Sequence, residues 1–155
     1  MTQTRRRHTP PLASPQPARR APAAAAPPAQ TVCVIEDDLD IRESLRYLLE
    51  DAGYCVIEAG DGLTGYRLLQ QSAERLIVVL DHKLPRMDGC DMLELVTNDE
   101  TLRSQHVFIL MTASPKRAEE DCGEHLEELD APLIPKPFDI DEVLDAVADA
   151  AVRLN

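Results

Sequence analysis

Leu76-Ile77-Val78-Val79-Leu80, followed by Asp81-His82-Lys83-Leu84-Pro85-Arg86-Met87-Asp88-Gly89, is the stretch on which the fold turns. The apolar run is continuous rather than alternating, as expected of a central parallel strand covered on both faces. A loop holding Pro85 and Gly89 ends it. Asp88 then stands where it can cap a helix that carries Met92, Leu93, Leu95 and Val96.

The same alternation extends both ways. Upstream, Val32-Cys33-Val34-Ile35 reads as a short strand, and Ile41, Leu45, Leu48, Leu49 and Ala52 recur at helical spacing before Gly53 as a stop. Tyr54-Cys55-Val56-Ile57 is a second strand, and Leu63, Tyr66, Leu68 and Leu69 mark a second helix. Downstream, Val107-Phe108-Ile109-Leu110-Met111 is a fourth strand. Ser114 before Pro115 predicts an N-cap with proline at the first helical position. The fourth predicted helix has only a narrow stripe, Ala118, Cys122, Leu126 and Leu129, with Gly123 in its middle. Glu119, Glu120, Asp121, Glu124, Glu127 and Glu128 load its surface. Leu133-Ile134, between prolines, fits an edge strand. Asp139 with Glu142 reads as an acidic capping box. It opens a last helix with Ile140, Val143, Leu144, Val147, Ala151 and Leu154 on one face. Five β/α alternations predict an α/β fold: a doubly wound, five-stranded parallel sheet with five helices, its ligand site outside the carboxyl ends of the strands.

Charge divides the 155 residues unevenly. Residues 1–30 are rich in Pro, Ala and Arg, hold no acidic residue and carry +5, so residues 31–155 carry −17 of the net −12. Seven prolines in the first segment break any helix, and it offers little to bury, which predicts a disordered extension ahead of a single domain over 31–155. The acidic body excludes direct DNA binding as its main business, because excess negative charge repels phosphates. No apolar run is long enough to span a bilayer. The four cysteines form no C-x-x-C pair, and Cys33 and Cys55 fall in apolar runs; reduced thiols in a cytoplasmic protein are the expectation.

The residues just after the apolar runs carry the chemistry. The first strand ends in Glu36, Asp37 and Asp38, the third in Asp81, the fourth in Thr112 and the fifth in Lys136. Singly, each has a structural reading: helix cap, turn residue, helix start, surface lysine. In a parallel sheet all these ends share one edge. Several carboxylates gathered there repel one another unless a cation sits among them, and hard oxygen ligands suit Mg²⁺.

Val34-Ile35-Glu36-Asp37-Asp38, Asp81 through Gly89, Met111-Thr112-Ala113 and Lys136-Pro137-Phe138, in that order, resemble the receiver domain of bacterial two-component response regulators. The resemblance covers Thr31 to Asn155. It implies a sheet of strand order 2-1-3-4-5, with Asp81 as phosphoacceptor. Mg²⁺ is then held by Asp37, by Glu36 through water, by Asp81 and by the backbone carbonyl of Lys83, with Asp38 the poorer match. Thr112 and Lys136 pair with the phosphoryl group. The implied partners are a sensor histidine kinase or a histidine phosphotransfer protein, and a downstream protein on the face of the fourth helix, fifth strand and fifth helix. No output domain follows the last helix, so the signal is expected to pass by docking or onward phosphotransfer, with no catalysis beyond the domain's own phosphorylation and autodephosphorylation.

Three features depart from that pattern. Leu133 stands where the family usually has an aromatic residue that rotates on activation. Leu129-Asp130-Ala131-Pro132 replaces a small Gly-Ala segment. The fourth helix is unusually acidic. Two other classes compete: a receiver fold used as a phosphorylation-independent adaptor, for which Leu133 speaks, and a Mg²⁺-dependent aspartyl-phosphate hydrolase, against which Lys83 speaks by occupying the place of the acid/base carboxylate. His82 is read as a solvent-facing loop histidine rather than a general base.

Overall fold

Both faces of the central strand are covered, and this organises the chain. The computed structural model describes residues 29–155; the predicted extension, except for Ala29 and Gln30, lies outside them. The elements run β1 (Thr31–Ile35), α1 (Leu39–Asp51), β2 (Cys55–Ala59), α2 (Gly62–Gln71), β3 (Leu76–Asp81), α3 (Gly89–Thr97), α4 (Glu100–Gln105), β4 (Val107–Thr112), α5 (Pro115–Glu128), β5 (Leu133–Pro135) and α6 (Ile140–Leu154). All strand pairs are parallel and the order is β2-β1-β3-β4-β5, as the resemblance implies.

Alternation along each strand divides the core in two. Cys33, Ile35, Leu76, Val78, Leu80, Phe108 and Leu110 pack with the helices α2 to α5. Val32, Val34, Ile77, Val79, Ile109 and Met111 pack with α1 and α6 on the other face. Gly53 ends α1 with φ of +98°, a backbone that favours glycine.

Several expectations are corrected. The described residues hold six helices, not five. The additional one, α4, buries only Leu102, so it leaves no periodic signal. Asp88 does cap α3, in a reciprocal box with Asp91. Ser114 is the N-cap residue of α5 and Pro115 opens the helix, as expected, but the Ser114 side chain makes no cap hydrogen bond. Asp139 caps α6 through the Asp141 N–H rather than in a box with Glu142. The weakness of α5 falls at Cys122, whose φ of −146° breaks the helix one residue before Gly123. Cys55 is exposed on the edge strand β2, and Cys90 and Cys122 form a disulfide between α3 and α5 rather than two thiols. Alkylation in denaturant should therefore modify two thiols, Cys33 and Cys55, without reductant and four with it, as read by intact mass.

A buried histidine closes the α3/α5 side of the sheet. His106 accepts the Leu76 N–H at Nδ1 (3.1 Å) and donates from Nε2 to the Leu69 carbonyl (3.2 Å). Burial chiefly holds its pKa below the ordinary 6.5; the neighbouring Arg75 acts in the same direction and the Leu69 bond in the opposite one. A lowered folded pKa means that the unfolded chain binds the proton first, so this stability is present above 6.5 and is lost as pH falls from there towards the folded value. Urea midpoints should fall over that window, and His106→Asn should flatten the slope. His106→Phe leaves the Leu76 N–H unpaired and should cost about 1–3 kcal/mol at neutral pH.

Candidate functional site

At the carboxyl edge of the sheet, β1 delivers Glu36 and Asp37, β3 ends in Asp81, β4 ends in Thr112, and Lys136 follows β5. The local sequence fixes the loop beyond Asp81. The Gly89 N–H donates to the His82 carbonyl at 2.8 Å, and a Cβ at Gly89 would lie 2.5 Å from the Asp81 carbonyl oxygen. Gly62 is needed for the same reason: a Cβ there would collide with the Met87 carbonyl. Glycine thus lets α2, α3 and the loop close around the acceptor.

Carboxylate oxygens of Glu36, Asp37 and Asp81 all lie within 4.8 Å of one another. Glu36 and Asp81 are buried, while Asp37 is exposed. Lys136 Nζ binds Glu36 Oε2 at 2.7 Å and Asp81 Oδ1 at 2.9 Å. Glu36 Oε1 also accepts the Asp38 N–H at 3.1 Å. Asp38 itself stays out of the cluster and caps α1 through the Ile41 N–H. Lys83 follows on the loop, with its ammonium turned outward to 3.7 Å from Asp121.

Burial raises the pKa of Asp81; Lys136 opposes this and Asp37 adds to it. Burial likewise raises Glu36 against its bond to Lys136, with Asp81 adding to the rise. For Lys136, burial alone would favour the neutral amine, but the bonds to Glu36 and Asp81 outweigh it and the pKa is raised. Three carboxylates facing one ammonium leave a net charge of −2, which matches a divalent cation. The oxygen-only donor set fits Mg²⁺. A divalent cation held there would neutralise charge around an attacking oxygen, which is what phosphoryl transfer to a carboxylate requires.

Thr112 is buried, and its Oγ1 accepts the Ser114 N–H at 3.0 Å. It also lies 2.9 Å from His82 Nδ1. His82 is not solvent-facing; it is 1% exposed and its Nε2 lies 3.4 Å from Asp121 of α5. The strand carried the signal for this placement. Positions 76, 78 and 80 face the α5 side of the sheet, and position 82 continues that period.

The fold, the acidic cluster and the paired lysine define a receiver domain. Residues 32–148 match the response regulator receiver domain family, and the chain belongs to it. It is 34% identical over 120 residues to the sporulation initiation phosphotransferase F of Bacillus subtilis, covering 76% of this chain and 90% of that protein. Other relatives that it matches, two of them named as transcriptional regulators and one as a response regulator, are longer, and the chain spans half of their length or less. Among solved structures, the receiver domain of the Francisella response regulator 1452 superposes with a TM-score of 0.71 at 24% identity, over 81% of this chain and 99% of that one. The receiver domain of the Pseudomonas aeruginosa sensor histidine kinase PA1611, solved with a magnesium ion in its active site cleft, gives 0.69 at 21% identity, over 79% and 97%. Among the described residues, no helix is long and apolar enough to cross a membrane.

The raised pKa values of Asp81 and Glu36 have a stability consequence with a definite sign. A carboxyl group whose folded pKa is raised favours folding below its unfolded pKa, and that contribution is lost as pH rises through the folded value. In metal-free buffer at neutral pH the ionised cluster therefore opposes folding. Asp81→Asn keeps the Lys136 bond to Glu36 and should raise Tm by a few degrees, on the order of 2–6 °C. The gain should vanish at a pH low enough to protonate the wild-type carboxyl, as calorimetry across pH would read.

Proposed function

We propose that the chain accepts a phosphoryl group onto Asp81 from a sensor histidine kinase or a histidine phosphotransfer protein, using Mg²⁺. The observation that carries the reading is the cluster itself: Asp81 within reach of Glu36 and Asp37, with Lys136 bonded to both Asp81 and Glu36. Asp81 attacks phosphorus, the donor's phosphorus–nitrogen bond breaks, and the leaving imidazole takes a proton from water. Mg²⁺, when bound, offsets charge on the transferring oxygens, and Glu36, Asp37, Asp81 and the Lys83 carbonyl are the groups to hold it. Lys136 keeps one Asp81 oxygen oriented, and Lys136 with Thr112 then offers donors to the phosphoryl oxygens.

The domain acts on no other substrate in this reading, beyond its own phosphorylation and autodephosphorylation. It works in the cytoplasm, touches neither DNA nor membrane directly, and signals by altered binding on the α5/β5/α6 face or by handing the group on. The similarity over nearly the whole length of a protein called a phosphotransferase favours onward transfer.

Incubation with a small phosphodonor and Mg²⁺ should add the mass of one phosphoryl group to the wild type and none to Asp81→Asn. Chelation of the metal should slow the gain by at least about tenfold, in line with the several kcal/mol of charge stabilisation such an ion supplies. No mass gain in the wild type would favour a phosphorylation-independent adaptor. Repeated turnover of a phosphomonoester would favour a hydrolase.

A further inference from the structure

His82 is absent from the set that holds the metal and the phosphoryl group, yet it is buried against that set. Its Nδ1 is 2.9 Å from Thr112 Oγ1, and its Nε2 faces the Asp121 carboxylate at 3.4 Å without a closed hydrogen bond. A carboxylate in front of Nε2 favours the tautomer with its proton there, which leaves Nδ1 as an acceptor. Thr112 Oγ1 already accepts the Ser114 N–H. Its single O–H is then donated to His82.

A phosphoryl group on Asp81 adds three strong acceptor oxygens at the edge where Thr112 ends β4. One hydroxyl proton cannot serve both His82 Nδ1 and a phosphoryl oxygen. We propose that His82 is a positioning residue that holds the Thr112 hydroxyl in the unphosphorylated arrangement, and that transfer of this hydrogen bond to the phosphoryl group frees the imidazole that faces Asp121 on α5. The proposal rests on Asp81 as the phosphoacceptor. Asp121 is well placed to receive the change: Lys83 Nζ and Arg117 Nε each lie 3.7 Å from the carboxylate oxygen that faces His82. Leu133, with no polar atom on its side chain, cannot make such a link from β5.

Stabilising one state of Thr112 weakens a ligand that needs the other. With Mg²⁺ and beryllofluoride as a phosphoryl analogue, His82→Leu should bind the analogue roughly fivefold more tightly than wild type, the size of one net hydrogen bond. In a Thr112→Val background the same change should alter affinity by less than about 1.5-fold, because no hydroxyl is left to release. His82→Asn, whose carbonyl oxygen can replace Nδ1 as acceptor, should return affinity to within about twofold of wild type. Imidazole ¹⁵N spectra of the wild-type chain provide a readout independent of substitution. They should show Nδ1 unprotonated and hydrogen-bonded at rest, with its resonance shifting towards a free acceptor when the analogue binds. An equal effect of His82→Leu in both backgrounds, weaker binding, or an Nδ1-protonated neutral imidazole at rest would overturn the role of His82 while leaving the phosphoacceptor reading intact. A wild-type chain that takes no analogue would overturn both.

Discussion

The Lys136 ammonium ties the functional edge together. It bonds carboxylates that lie 100 and 55 residues earlier in the chain, at 2.7 and 2.9 Å, and so joins the ends of β1, β3 and β5. Burying Glu36 and Asp81 without a partner would be costly, and one lysine serves two acids only if three strand ends meet. Parallel topology meets that condition. Even so, the pair of buried acids exceeds the positive charge available. The edge therefore suits a cation, at the expense of stability when none is bound.

How far the sequence could be read follows from which signals are local. The strands were legible because runs buried on both faces are continuously apolar, and the edge residues because each follows such a run. Strand order followed from the motif resemblance rather than from periodicity. The short helix α4 was not legible, since a single buried leucine has no period. The Cys90–Cys122 bond joins residues 32 apart on different helices, and no spacing rule in the chain points to it. The N-cap positions of Ser114 and Asp139 were legible, but not the bonds made there, because composition names residues able to cap and not which hydroxyl or carboxylate the local backbone brings round. The burial of His82 was legible in principle. Hydropathy alone does not mark it, because the apolar run ends at Leu80 while the alternation of β3 continues through His82.

The disulfide, the buried His82 and the short helix α4 all meet α5, whose acidic surface departs from the family pattern. The helix is fastened on its α3 and α4 side by the Cys90–Cys122 bond, by Thr97 Oγ1 at 3.1 Å from His125 Nδ1, and by Arg103 with Glu128 at 3.2 Å. On the opposite side, Leu126, Ala131, Pro132 and Leu133 line an open acidic groove that also takes in Glu119, Glu127 and Asp149. The contacts that run from the carboxyl edge to α5 are those of His82 and Lys83 with Asp121, at 3.4 and 3.7 Å. The break at Cys122 divides α5 next to Asp121 and at the disulfide itself. The break thus separates the half of the helix that carries Asp121 from the half that holds His125 and Glu128, and the disulfide ties the boundary between them to α3.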